Sequence, residues 1–152
     1  MTLDTIMTRH VVTVSMDDDL RAVRELFNRY KFHHVVVTEK CRVVGVISDR
    51  DLLSHLSPFV GTPSERSLDA ASLNRKAHQV MTRKLVSAGP KTPVADAALL
   101  LLNNNISCLP VLDEHGACVG IVTWRDLLRW SLKDLTSHAC EAKLRDEAKR
   151  AA

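Results

Sequence analysis

An α/β fold, built from two β-α-β-β-α repeats packed about a pseudo-twofold axis and followed by a C-terminal helix, is predicted by three observations. Residues 45–53 read GVISDRDLL and residues 120–128 read GIVTWRDLL. The flanking sequence repeats as well. Shifted by 74 positions, Ile6-Met7-Thr8-Arg9 falls on Val80-Met81-Thr82-Arg83, and the run from Phe32 falls on the run from Ile106. Past the turn at Glu39–Lys40, which faces Asp113–Gly116, the shift becomes 75, a one-residue difference in a loop. Finally, the strand candidates are continuous apolar runs that need cover on both faces. One copy of about 50 residues cannot supply that cover alone, but two packed copies can.

Each copy opens irregularly with Met-Thr-Arg and a short apolar stretch, Val11–Val14 or Leu85–Val86. A helix follows. In the first copy Asp18 can cap it, and Leu20, Val23, Leu26 and Phe27 recur at helical spacing up to about Tyr30. In the second, Thr92 can cap and Pro93 suits the first helical position, where a missing N–H costs nothing. Two short strands come next, Val35–Thr38 and Val43–Ser48, or Leu109–Leu112 and Cys118–Thr123. The DEHG turn inside the second pair is a hairpin signal. A last helix starts at each repeated motif. The organisation is therefore repeat one at 1–56, a linker at 57–77, repeat two at 78–131 and a helical tail at 132–152. In the tail, Leu128, Leu132, Leu135, Ala139 and Ala142 fall near one face.

Composition narrows the function. The chain has 152 residues, 45% hydrophobic and 26% charged, which is a globular balance. Only 4% are aromatic, so the core is aliphatic. A net charge of +3 with no accompanying motif argues against nucleic acid as a partner. No apolar run approaches the ~20 residues of a membrane span, and the first ten residues lack an apolar signal core. Cys41, Cys108, Cys118 and Cys140 form no C-x-x-C pair, so a cytoplasmic protein with reduced thiols is expected.

The repeated motif admits two readings. Ser48 and Thr123 stand where a strand ends and a helix begins, and Asp51 and Asp126 follow three residues later. That is a capping box. The same atoms suit a nucleotide. A helix N-terminus attracts phosphate, a hydroxyl there can bond a phosphate oxygen, and a carboxylate one turn on can accept both ribose hydroxyls. Arg50 and Arg125 add positive charge beside the carboxylates.

These residues also carry a resemblance. The series IMTRHVVTV, FHHVVV, RVVGVISDRDLL, and then VMTRKLVSA, ISCLPVLDEHGACVGIVTWRDLL, resembles two successive CBS domains, a Bateman module, up to about Trp130. The standalone two-repeat form is similar to acetoin-utilisation accessory proteins. The resemblance implies a CBS-type fold and a homodimer that regulates an unknown partner protein. It also implies an adenosine ligand (AMP, ADP, ATP or S-adenosylmethionine) in the cleft between repeats, with no cofactor required. In one site Asp126 would hold the ribose, Thr123 the phosphate or ribose region and Ile121 the base, completed by Thr8, Val12, Phe32 and His33. In the other, Asp51, Ser48 and Val46 act with Thr82, Val86, Ile106 and Ser107. Arg9, His10, Arg83 and Lys84 follow each Met-Thr and could neutralise phosphates.

The copies also differ. Val36 stands against Pro110, His33 against Ser107 and Asp49 against Trp124. The bulk of His33 predicts a narrower or differently selective Asp126 site. Trp124 could stack on a base or cover a dimer surface. The Asp49 charge is expected to disfavour a triphosphate at the Asp51 site. His33, His34 and Cys108 could be read as metal ligands. However, neighbouring strand residues point to opposite faces, so at most one histidine should enter a given site, and no Cys/His spacing completes a zinc tetrahedron. The three cysteines other than Cys140 read as core or strand-edge residues, and the Leu99–Leu102 run as core plus dimer face. No nucleophile elbow is present, so no catalysis and no metal are expected. The competing function is a structural interaction module that dimerises and docks a partner without any ligand.

Overall fold

A computed structural model describes residues 1–136; residues 137–152 of the expected tail, Ala139, Cys140 and Ala142 among them, lie outside the described residues. In the first copy, β1 (Thr13–Ser15) leads to α1 (Leu20–Tyr30), then β2 (His34–Glu39), β3 (Arg42–Ser48) and α2 (Asp49–His55). A linker with a short helix α3 (Ser67–Ala71) follows. The second copy gives α4 (Val94–Asn104), β4 (Cys108–Leu112), β5 (Cys118–Thr123) and α5, helical over 124–136. β1 pairs parallel with β2, and β2 antiparallel with β3. β4 pairs antiparallel with β5. In the second copy the first strand shrinks to one bridge, Ala88 with Val111, the counterpart of Val14 with Val37. Both hairpins carry an irregularity at the same place, Val37/Thr38 and Val111/Leu112.

Helix ends differ slightly from expectation. Asp19 rather than Asp18 caps α1, accepting from Ala22 N, while Asp18 accepts from Ser15 N and shapes the preceding turn. Pro93 occupies the cap position of α4, and the Thr92 hydroxyl accepts from Gly89 N instead. Both are one-residue shifts, because adjacent polar residues compete for the same free N–H groups. At their C-termini α1 and α4 close alike: Lys31 and Asn105 sit in the left-handed region (φ 57° and 52°) and return their N–H to Phe27 and Leu101.

Among the described residues there are two cores, and each borrows from outside its own copy. The first gathers Val23, Phe27, Val35, Val37 and Ile47 with Ala77, at the end of the linker, and with Val80 and Met81, which open the second copy. The second gathers Val94, Ala97, Leu109, Val111 and Val122 with Leu3, which opens the first. Backbone bonds fix this exchange. Leu3 N donates to Thr92 O, and Ala77 N to Asp18 O. Thr8 exchanges two bonds with Ile121, and Thr82 two with Val46, so each leader extends the edge strand of the other copy. The two glycines of the repeated motif make room for it. A Cβ on Gly45 would meet Met81 Sδ at 2.7 Å and Thr82 O at 2.9 Å, and one on Gly120 would collide with Met7 Sδ.

The cysteines separate. Cys108 is buried and Cys118 half-buried, but Cys41 is exposed on the β2–β3 turn with φ 66°, so it is neither a core nor a strand-edge residue. Burial pushes the Cys108 thiol up to about 12 and raises that of Cys118. Maleimide labelling of the native protein at pH 7.5, read by peptide mass, should therefore modify Cys41 within minutes and spare Cys108 until the protein is unfolded. Equal rates at the two would contradict this packing.

Candidate functional site

Two cavities open between the copies, of about 500 Å³ and 650 Å³. The first brings together Thr123, Ile121, Arg125 and Asp126 with Thr8, Val12, Phe32 and His33, a set predicted from opposite halves of the chain. The second brings together Asp51, Ser48 and Val46 with Thr82, Val86, Ile106 and Ser107. Arg50 lines both, and so do Ser48, Ser107, His34 and Trp124, which form the partition between the two. Across that partition His34 Nε2 and Ser107 Oγ lie 2.8 Å apart. Burial holds the His34 imidazole below its ordinary range, which favours the neutral ring.

The four phosphate candidates divide by position in the repeat. His10 lines the first cleft and Lys84, its counterpart, the second. Arg9 and Arg83 instead donate to carbonyls five residues back, Arg9 Nη2 to Asp4 O (2.8 Å) and Arg83 Nη2 to His78 O (3.0 Å). They pin the leaders, and neither lines a cleft.

The capping box and the cleft use the same residues through different oxygens. Ser48 N and Ser48 Oγ both donate to Asp51 Oδ2, and Asp51 N donates back to Ser48 Oγ. Likewise Thr123 N and Oγ1 donate to Asp126 Oδ2 at 2.9 Å and 2.7 Å. Oδ1 takes no part in either cap. That of Asp126 lies 3.4 Å from the exposed Arg129. Capping engages one oxygen of each carboxylate, and each carboxylate lines a cleft, so the two readings of the motif are compatible.

Three details depart from the sequence reading. Asp49, the first residue of α2, lines the Asp126 cleft and not the Asp51 cleft. There its Oδ2 lies 2.7 Å from His33 Nδ1. Burial would raise the Asp49 carboxyl, but the His33 contact, the Arg50 backbone N–H and the nearby imidazoles outweigh it and hold the group low. His33 and His34 both line the first cleft, since His33 precedes β2 and strand alternation does not govern it. Lys31 and Asn105, the left-handed caps, also line the clefts, one in each. Their equivalence at a shift of 74 was the signal that could have found them. Among the described residues, no three His, Cys, Asp or Glu side chains gather as a metal site.

The family model of the CBS domain matches residues 3–58 and 77–133. The chain belongs to the CBS domain family. A CBS domain-containing protein of Dictyostelium discoideum is 33% identical over 132 residues, covering 86% of this chain and 90% of that one. Among solved structures, CBSX2 in complex with AMP superposes with a TM-score of 0.72 at 27% identity, covering 87% of this chain and 96% of that one. A Vibrio cholerae structure assigned as an acetoin utilization protein (AcuB) gives 0.74 at 24% identity, covering 91% and 96%. The α/β fold with two CBS repeats is thus shared with standalone CBS pairs.

Proposed function

We propose that this CBS pair is a non-catalytic sensor that binds an adenosine nucleotide or related adenosyl ligand between its repeats and so regulates a partner protein, in the cytoplasm. The observation that carries the reading is the doubled strand-to-helix junction. Each junction puts a hydroxyl and a carboxylate, one oxygen of which takes no part in the cap, at a cleft completed by the other copy. The AMP complex of CBSX2 supports the ligand class. A thermal-shift panel of AMP, ADP, ATP and S-adenosylmethionine tests it. A ligand at 100 times its dissociation constant stabilises by ~2.7 kcal/mol, which raises the melting point by several degrees at about 2–4 °C per kcal/mol. Flat curves across the panel would leave the ligand-free interaction module in its place.

We also propose a homodimer formed through helix faces. Leu128, Leu132 and Leu135 are exposed at i, i+4 and i+7 along α5, and Leu53 is 71% exposed on α2. Light scattering at micromolar concentration should return about twice the chain mass of 16.9 kDa. A monomer mass would refute this. Among the described residues, no helix is long and apolar enough to cross a membrane.

A further inference from the structure

The two clefts come from one duplicated unit but have diverged in chemistry. Four permanent cations, Lys31, Arg50, Arg125 and Arg129, face the Asp126 cleft against two carboxylates, Asp49 and Asp126. Among the described residues, the Asp51 cleft has Arg50 and Lys84 against Asp51, and one wall of it is Leu85, Val86, Leu101, Leu102, Ile106 and Pro110. The helices explain the difference. α4 contributes Ala98, Leu101 and Leu102 to its cleft, whereas α1 contributes nothing before Lys31. Of the α1 counterparts, Asn28, which stands for Leu102, is polar and lines neither cleft, and the other two are engaged elsewhere. Phe27 is buried in the core against Phe32, and Arg24 turns onto the linker, where a Cβ on Gly61 would meet its Nη2 at 2.8 Å.

We infer that the clefts take different ligands: the Asp126 cleft a phosphorylated nucleoside, and the Asp51 cleft an uncharged nucleoside with an apolar 5′ substituent. This rests on the adenosyl reading above. A phosphate finds charge-assisted donors in the first cleft, whereas against the leucine wall of the second it would lose hydration without full replacement. A small thioether or alkyl group has the opposite preference.

The probes are AMP and 5′-methylthioadenosine, titrated calorimetrically into the full chain. 5′-Methylthioadenosine should still bind AMP-saturated protein, with an affinity within about threefold of that for free protein. Raising salt from about 50 to 500 mM should weaken AMP several-fold and leave 5′-methylthioadenosine within about twofold. Lys31→Asn with Arg125→Gln, both at exposed positions, should weaken AMP at least about fivefold and spare 5′-methylthioadenosine. Leu102→Gln, at a side chain 75% exposed at the cleft mouth, should do the reverse, by about threefold. Competition of the two probes for one site, parallel losses in the variants, or binding of AMP alone would overturn the inference while leaving the adenosyl reading intact. Binding of neither probe would overturn both.

Discussion

Asp126→Asn should weaken AMP binding by one to two decades while costing the fold at most about 1 kcal/mol. The geometry separates the two effects. Thr123 N and Oγ1 both point at Oδ2, and the amide oxygen of asparagine can take that place and keep the cap. The amide NH2 then stands where Oδ1 was, and it donates where a ribose hydroxyl needs an acceptor. Losing charge-assisted bonds is worth roughly 1.5–3 kcal/mol, which is the stated range in affinity. The contact with Arg129 adds little, because the arginine is 70% exposed at 3.4 Å. Asp51→Asn is the matched control, with the same two bonds to Oδ2 in the other cleft, and should leave AMP nearly untouched. Calorimetric titration of both variants decides. Unchanged affinity in both, with a small stability loss, would return the carboxylates to capping alone.

Leu3→Ala should destabilise the protein by about 2–5 kcal/mol, as large core truncations do, and lower the melting point at about 2–4 °C per kcal/mol. A residue so near a chain end would ordinarily be expected to tolerate change. Leu3 is fully buried, however, among Val94, Ala97, Leu109 and Val122, and its N–H is held by Thr92 O at 3.0 Å. Hydrogen exchange should quicken first in β4 and β5, far along the sequence from the substitution. Leu68→Ala, at a side chain 85% exposed, is the reference and should change stability by no more than about 0.5 kcal/mol. A loss below about 1 kcal/mol for Leu3→Ala would mean the leader is not part of the second core.

Much of this was legible because duplication reports equivalence. The same letters at a shift of 74 or 75 place Ser48 with Thr123, Asp51 with Asp126 and Thr8 with Thr82, and the resemblance to CBS pairs assembled both clefts across the halves. Equivalence does not reveal which half a segment packs against. Leu3 looks like a member of its own repeat and is buried in the opposite one, and Ala77 looks like the end of the linker and is buried in the first core. Nor does it reveal which side of a helix start faces which cavity, and so Asp49 was expected in the wrong cleft. Arg9 and Arg83 read as phosphate ligands by charge. Their backbone acceptors five residues back depend on how the leader folds, which no side-chain pattern encodes.

The exchanged leaders give the linker a thermodynamic role. A lone copy would have an empty slot in its core, shaped for a leucine or for Ala77, that only another copy's leader fills. Joining the copies through the linker, whose residues 61–66 are exposed, turns that encounter into an intramolecular one with an effective concentration on the order of millimolar. The pairing of the two copies is thereby insensitive to dilution. Cutting one peptide bond in 61–66 would remove this protection without deleting a single core contact. The nicked halves would then behave as a heterodimer with a dissociation constant, and their unfolding midpoint would rise with protein concentration.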